Sequence, residues 1–254
     1  MKLPILLLVA RLLLVIGLQF AAALVAGSQE LAMPWWPYLL VIVEAVTLSG
    51  LVLVLRQERL PTASIFVAPF DQGSPSGKVG GFLARRLDGL WAGLAADVGR
   101  FALVMAVLGV PALVLNEFVS SNVAVLRDTP TSGSLPDPAV IALFFLLPVA
   151  QLVEFPFYYG YVFPRLESQF EARGLRRGGA TALALAIVVV TLALQIAFVP
   201  MVFSATYVAW RMIAMLPVLF VIGVVIRAVP RFMIGANIVH MAMAVMVVLD
   251  FWRG

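Results

Sequence analysis

The stretch "QLVEFPFYYGYVFPRLES" at positions 151–168 places one carboxylate, Glu154, inside a long apolar run. An ionised side chain in such a run is costly unless it is paired, and it marks a functional site or a structural clasp. The only histidine of the chain, His240, lies in a second apolar run. Without a metal, a carboxylate and an imidazole can hold a water between them. The carboxylate then serves as general base and the imidazole as acid or orienter. The same spacing is also served, more simply, by a hydrogen bond from His240 or Arg211 to Glu154 that only pins helices together. With no cysteine and a single histidine, a zinc site of three or four His and Cys ligands cannot be assembled. No metal and no cofactor is expected.

A second pair of charges stands nearer the N-terminus. Helical rise of about 1.5 Å per residue sets Arg11 roughly 12 Å into its apolar run and Glu44 roughly 16 Å from the same end of the next. Both are therefore at one level on two helices joined by a short loop, which predicts a structural ion pair locking a hairpin. Glu154 and His240 come out level by the same reckoning, roughly 14 Å and 12 Å from their shared end. The remaining polar residues within apolar runs are Gln19, Gln151, Gln195, Arg211 and Asn237.

These residues must be positioned by membrane-spanning helices. The 254 residues are 63% hydrophobic and only 12% charged, with mean hydropathy +1.07. A soluble domain carries roughly 25% charged residues, so too little polar surface exists here to cover a water-exposed globule. Runs of about 20 apolar residues cross a bilayer. Seven are read, at 4–27, 35–55, 98–116, 138–163, 179–199, 204–227 and 232–250, which predicts an all-α polytopic bundle. Lys2, the leucine-rich run and "AAALVAGS" have the parts of a secretory signal. Arg11 interrupts that run, however, and 4–27 is read as a retained first span.

The net charge of +4 does not signal nucleic acid, because the basic residues fall mainly in the gaps between spans. Arg56, Arg59, Lys78, Arg85 and Arg86 follow the second span; Arg165, Arg173, Arg176 and Arg177 follow the fourth; Arg227 and Arg231 follow the sixth. Alternation of basic and poor gaps predicts a cytoplasmic N-terminus in a plasma (inner) membrane. "QGSPSGKVGG" at 72–81 reads as a linker and not as a phosphate loop, since Val79 stands where a Ser or Thr would reach magnesium. "GFLARRLDGLWAGLAADVGRF" at 81–101 reads as an amphipathic interfacial helix leading into the third span. The organisation expected is thus 1–97, a hairpin with linker and interfacial helix, followed by a bundle at 98–254.

Within that bundle, "PVAQLVEFPFYYGYVFPRLE" resembles the first motif of the CAAX-protease and bacteriocin-processing (CPBP) intramembrane peptidases. In that family two adjacent glutamates and, after three further residues, an arginine precede a glycine. Aligned on Gly160, Glu154 takes the first glutamate, Phe155 stands for the second and Tyr159 for the arginine. "LQIAFVP" resembles the second motif, with Leu194 and Phe198 where the family has phenylalanine and histidine. "RFMIGANIVHMAMAV" resembles the third, keeping His240 and carrying Ala244 where the family has asparagine. The resemblance covers about 138–250 and implies a peptidase core with a degenerate catalytic site.

Two readings follow from the resemblance, and a third does not depend on it. The first is a non-catalytic scaffold, chaperone or regulator that binds another membrane protein or a membrane-bound peptide in the old substrate cavity. The second is an intramembrane endopeptidase with Glu154 as base and His240 as orienter or oxyanion donor, assisted by Tyr158 or Tyr159. Asn237 or Gln195 would then stand in for the missing groups. The third is a small transporter, weakened by the lack of an internal repeat. Lipid surrounds the protein in all three.

Overall fold

Apolar runs of this length can satisfy every backbone amide in lipid only as helices. The computed structural model describes residues 2–60, Ile65, 90–129, 135–229 and 232–253, and among them the chain is helical with no strand. Seven helices are long and apolar enough to cross a membrane: Leu3–Ala26, Gln29–Gln57, Asp97–Asn122, Asp137–Glu171, Arg177–Phe198, Ala205–Ala228 and Phe232–Leu249. The protein is an all-α bundle of membrane-protein type, and these helices are referred to as its first to seventh spans.

The fourth span is longer than hydropathy alone predicts, running on past 163 to Glu171. Its last part, Phe163–Glu171, is amphipathic and buries Phe163, Leu166, Glu167 and Phe170. The charges that end the apolar run are paired there. Arg165 bonds Glu58 and lies 3.7 Å over the Tyr161 ring, and Arg227 reaches Glu167 at 3.1 Å. Thr181 also donates to Glu167. The third span likewise extends beyond its apolar stretch to Asn122. Of the expected interfacial helix, 81–89 lies outside the described residues, as does the linker at 72–81. The remainder begins the helix Leu90–Val104, which runs without a break into the third span.

The fifth and sixth spans pack along their lengths, the seventh packs on the fourth, the third on the sixth, and the second on the fourth. The first span lies against the second and the fifth, so the N-terminal hairpin is part of the same packed unit as 138–250. A core around Leu55, Tyr158, Tyr159, Leu166, Val188 and Leu192 fills its centre. Gly27 and Gly174 take φ of +81° and +88°, the left-handed conformation that ends a helix without a Cβ penalty.

The third span carries a π-helical segment at Met105–Gly109, and a longer irregular stretch surrounds Glu154. Pro148 and Pro156 each lack an amide donor. Leu152 and Val153 bond back only three residues, to Val149 and Ala150. The helix then widens into a π-helical segment at Pro156–Val162. Within it Gly160 meets the backbone of Ile65, whose carbonyl oxygen would lie 2.3 Å from a Cβ at that position. Ile65 is fully buried in the same core. A side chain at 160 would have to push that backbone away.

Candidate functional site

Arg11 cannot be left alone in an apolar bundle, and the structure surrounds it with acceptors. Its Nη1 donates to Glu44 Oε2 at 2.9 Å and its Nη2 to Glu44 Oε1 at 2.5 Å, a two-pronged pair of the strong, geometrically specific kind. Nη1 also donates to Thr47 Oγ1 at 2.7 Å, and Nε donates to Gln195 Oε1 at 2.9 Å. Arg11 and Glu44 are 3% and 0% exposed, so the pair is fully removed from solvent. The Arg11 guanidinium lies 5.2 Å and 5.4 Å from the ring centroids of Phe157 and Tyr158.

Gln195 carries the network onward. Its Nε2 donates to Glu154 Oε1 at 2.8 Å, while its Oε1 accepts from both Arg11 and the Tyr158 hydroxyl, the latter at 2.7 Å. Only this amide orientation serves all three neighbours. The reverse would set an NH₂ against a guanidinium and an oxygen against a carboxylate. Arg11 Nη2 also lies 3.8 Å from Glu154 Oε1. The second Glu154 oxygen lies 3.2 Å from His240 Nε2.

The two pairs read separately from sequence are thus one cluster. It joins the first, second, fourth, fifth and seventh spans. Glu154 is 3% exposed, and the His240 side chain 15% exposed. The imidazole stacks on Phe155 at 4.4 Å between centroids. Among the described residues no group of three or more His, Cys, Asp or Glu side chains is placed to hold a metal ion.

Three other residues singled out in the sequence lie differently. Tyr159 is fully buried, but its hydroxyl donates to the Leu219 carbonyl at 2.7 Å. Arg211 donates to the Ile196 carbonyl at 3.3 Å and lies 5.8 Å from the Tyr207 ring centroid. Its interactions are along the fifth and sixth spans, and Glu154 takes its partners from Gln195, Arg11 and His240. Asn237 is buried, and its Oδ1 has no hydrogen-bond partner among the described residues.

Thr47 is the member of the cluster that sequence reading passed over. It also donates to the Val43 carbonyl at 2.7 Å, the usual way a threonine hides in an apolar helix. Its spacing of three from Glu44 was the available signal, since residues three apart share a helix face. An apolar groove between the third and sixth spans, lined by Val107, Pro111, Leu115, Pro217 and Phe220, contains none of the cluster residues.

Compared with known proteins, the chain matches no family profile, no characterised protein and no solved structure.

Proposed function

We propose that this is a CPBP-like membrane protein whose polar cluster is a structural clasp, and that it acts as a non-catalytic scaffold, chaperone or regulator of other membrane proteins or membrane-bound peptides. The observation that carries the proposal is the engagement of Glu154. One oxygen accepts from Gln195 and faces Arg11, the other faces His240, and the residue is 3% exposed. A general base needs an oxygen directed at a water that attacks substrate.

The surroundings support the same reading. On the alignment that carries the resemblance, Phe155 replaces an acid and stacks on His240. Tyr159 replaces an arginine and bonds a backbone carbonyl. Phe198 and Ala244 replace a histidine and an asparagine. Arg56, Arg165 and Arg227 lie in the C-terminal parts of the even-numbered spans, and Arg173, Arg176 and Arg177 lie between the fourth span and the start of the fifth, which supports a cytoplasmic N-terminus in a plasma membrane.

The second reading, a working peptidase, is favoured by one distance. His240 Nε2 lies 3.2 Å from Glu154 Oε2, and the imidazole retains some exposure. A carboxylate–imidazole pair of that geometry can orient a water. Reconstituted protein incubated with prenylated and transmembrane peptides separates the two readings. The scaffold reading expects binding without Glu154-dependent cleavage. Cleavage lost in Glu154→Gln gives the second reading.

A further inference from the structure

The charge count of the buried cluster is uneven. Arg11 and Glu44 neutralise each other in their two-pronged pair. Thr47 and Gln195, from the second and fifth spans, are neutral, and Tyr158 of the fourth donates its hydroxyl hydrogen to Gln195. That leaves Glu154 of the fourth span with His240 of the seventh. If Glu154 were ionised and His240 neutral, a net negative charge would reside in the middle of the bundle. One proton on either group cancels it: as imidazolium beside carboxylate, or as carboxylic acid beside imidazole. Burial favours a cluster with no net charge.

A second observation bears on the same place. Gln151 Oε1, Asn237 Oδ1 and His240 Nδ1 are buried atoms without a hydrogen-bond partner among the described residues, and Gln151 and Asn237 are each 5% exposed. The fourth and seventh spans run antiparallel, with Val140, Leu143 and Leu147 sharing a cluster with Ala244, Val248 and Phe251. Gln151 is three residues before Glu154, and Asn237 three before His240. The two amides therefore flank the pair, about one helical turn to either side along the seam. Buried polar atoms that lack protein partners are ordinarily met by internal water.

We propose that the seam between the fourth and seventh spans is a proton-binding site, holding one exchangeable proton on the Glu154–His240 pair and reached through internal waters at Gln151 and Asn237. The inference rests on the cluster's geometry and is independent of whether the protein cleaves peptides.

The single histidine makes the test direct. In reconstituted full-length protein at neutral pH, ¹⁵N magnetic resonance of His240 reports an imidazolium, and infrared absorption of carboxyl C=O reports a protonated glutamate. One of these signals is expected in the wild type, and neither in Glu154→Gln, whose amide keeps the shape of the carboxyl group. Wild-type protein showing a neutral imidazole and no protonated carboxyl would overturn the proposal, and that measurement needs no variant to fold. In D₂O the proton is expected to exchange quickly, and at least tenfold more slowly in Gln151→Leu or Asn237→Leu. Exchange as slow as that of the core amides, or unchanged by both substitutions, would remove the water path.

Discussion

Gln195 bonds Glu154 through its nitrogen and Arg11 through its oxygen, at 2.8 Å and 2.9 Å. A single amide on the fifth span thus connects two ionisable groups that otherwise belong to different ends of the sequence. Gln195→Leu is expected to leave the Arg11 Nε, the Tyr158 hydroxyl and Glu154 each one partner short. A buried group that loses its partner costs about 1–3 kcal/mol, more where it is charged. The variant should unfold at markedly lower denaturant or temperature than wild type while keeping its helical content before the transition. An unchanged midpoint would mean that Gln195 is incidental to the clasp.

The Arg11–Glu44 pair calls for a double-mutant cycle. Removing one partner of a buried pair leaves an uncompensated charge and costs about 3–5 kcal/mol. Arg11→Met and Glu44→Leu should each destabilise by that order. The double variant should lose much less than the sum, because no bare charge remains. Arg11→Met should be the worse single change, since Thr47 and Gln195 also depend on the guanidinium. Additive losses would show that the two residues do not interact in the folded protein.

Gly160→Ala tests the close approach of Ile65. The new Cβ would lie 2.3 Å from a backbone carbonyl oxygen, which cannot swing aside as a side chain can. Overpacking of this kind costs typically about 1–3 kcal/mol. At Gly223 the nearest neighbours of a Cβ are the Leu185 Cδ1 at 2.3 Å and the Tyr159 ring at 2.9 Å. Leu185 can change rotamer, so Gly223→Ala should cost less than Gly160→Ala. Thermal midpoints of the two variants against wild type decide the order.

The spans were legible because lipid imposes one rule on every backbone amide, and the apolar lengths in the sequence follow it. The level of Arg11 with Glu44, and of Glu154 with His240, was legible too, since helical rise converts residue number into depth. Rotation about each helix axis was not. A span that is apolar all round gives little sign of which face meets which neighbour, so nothing in the sequence set Gln195 between Arg11 and Glu154. The π-helical turn at Pro156–Val162 and the burial of Ile65 against Gly160 are tertiary events of the same kind. The fourth span ran past its apolar stretch because Glu58 and Arg227 pair its terminal charges, and those partners are more than fifty residues away in sequence.

On the proposed CPBP-like reading, peptidase chemistry is expected to require several changes together. Phe198→His and Ala244→Asn would supply an imidazole and a carboxamide donor at the positions the resemblance implies. An oxyanion donor is worth about 10²–10³ in rate, and a general acid–base group about 10²–10⁴. Groups that act as a unit are strongly non-additive, so neither substitution alone should yield measurable turnover on a membrane-bound peptide. Activity from one of them alone would mean that Asn237 or Gln195 already fills the other role.

The most direct measurement is peptide cleavage by wild-type protein and by Glu154→Gln, side by side in liposomes carrying prenylated or transmembrane peptides. With Glu154 held by Gln195 and His240, the two proteins should be indistinguishable in cleavage, both at background, while both still bind peptide. Cleavage by the wild type that disappears in Glu154→Gln, with the variant still folded, would contradict a structural role for the clasp and make Glu154 a catalytic base.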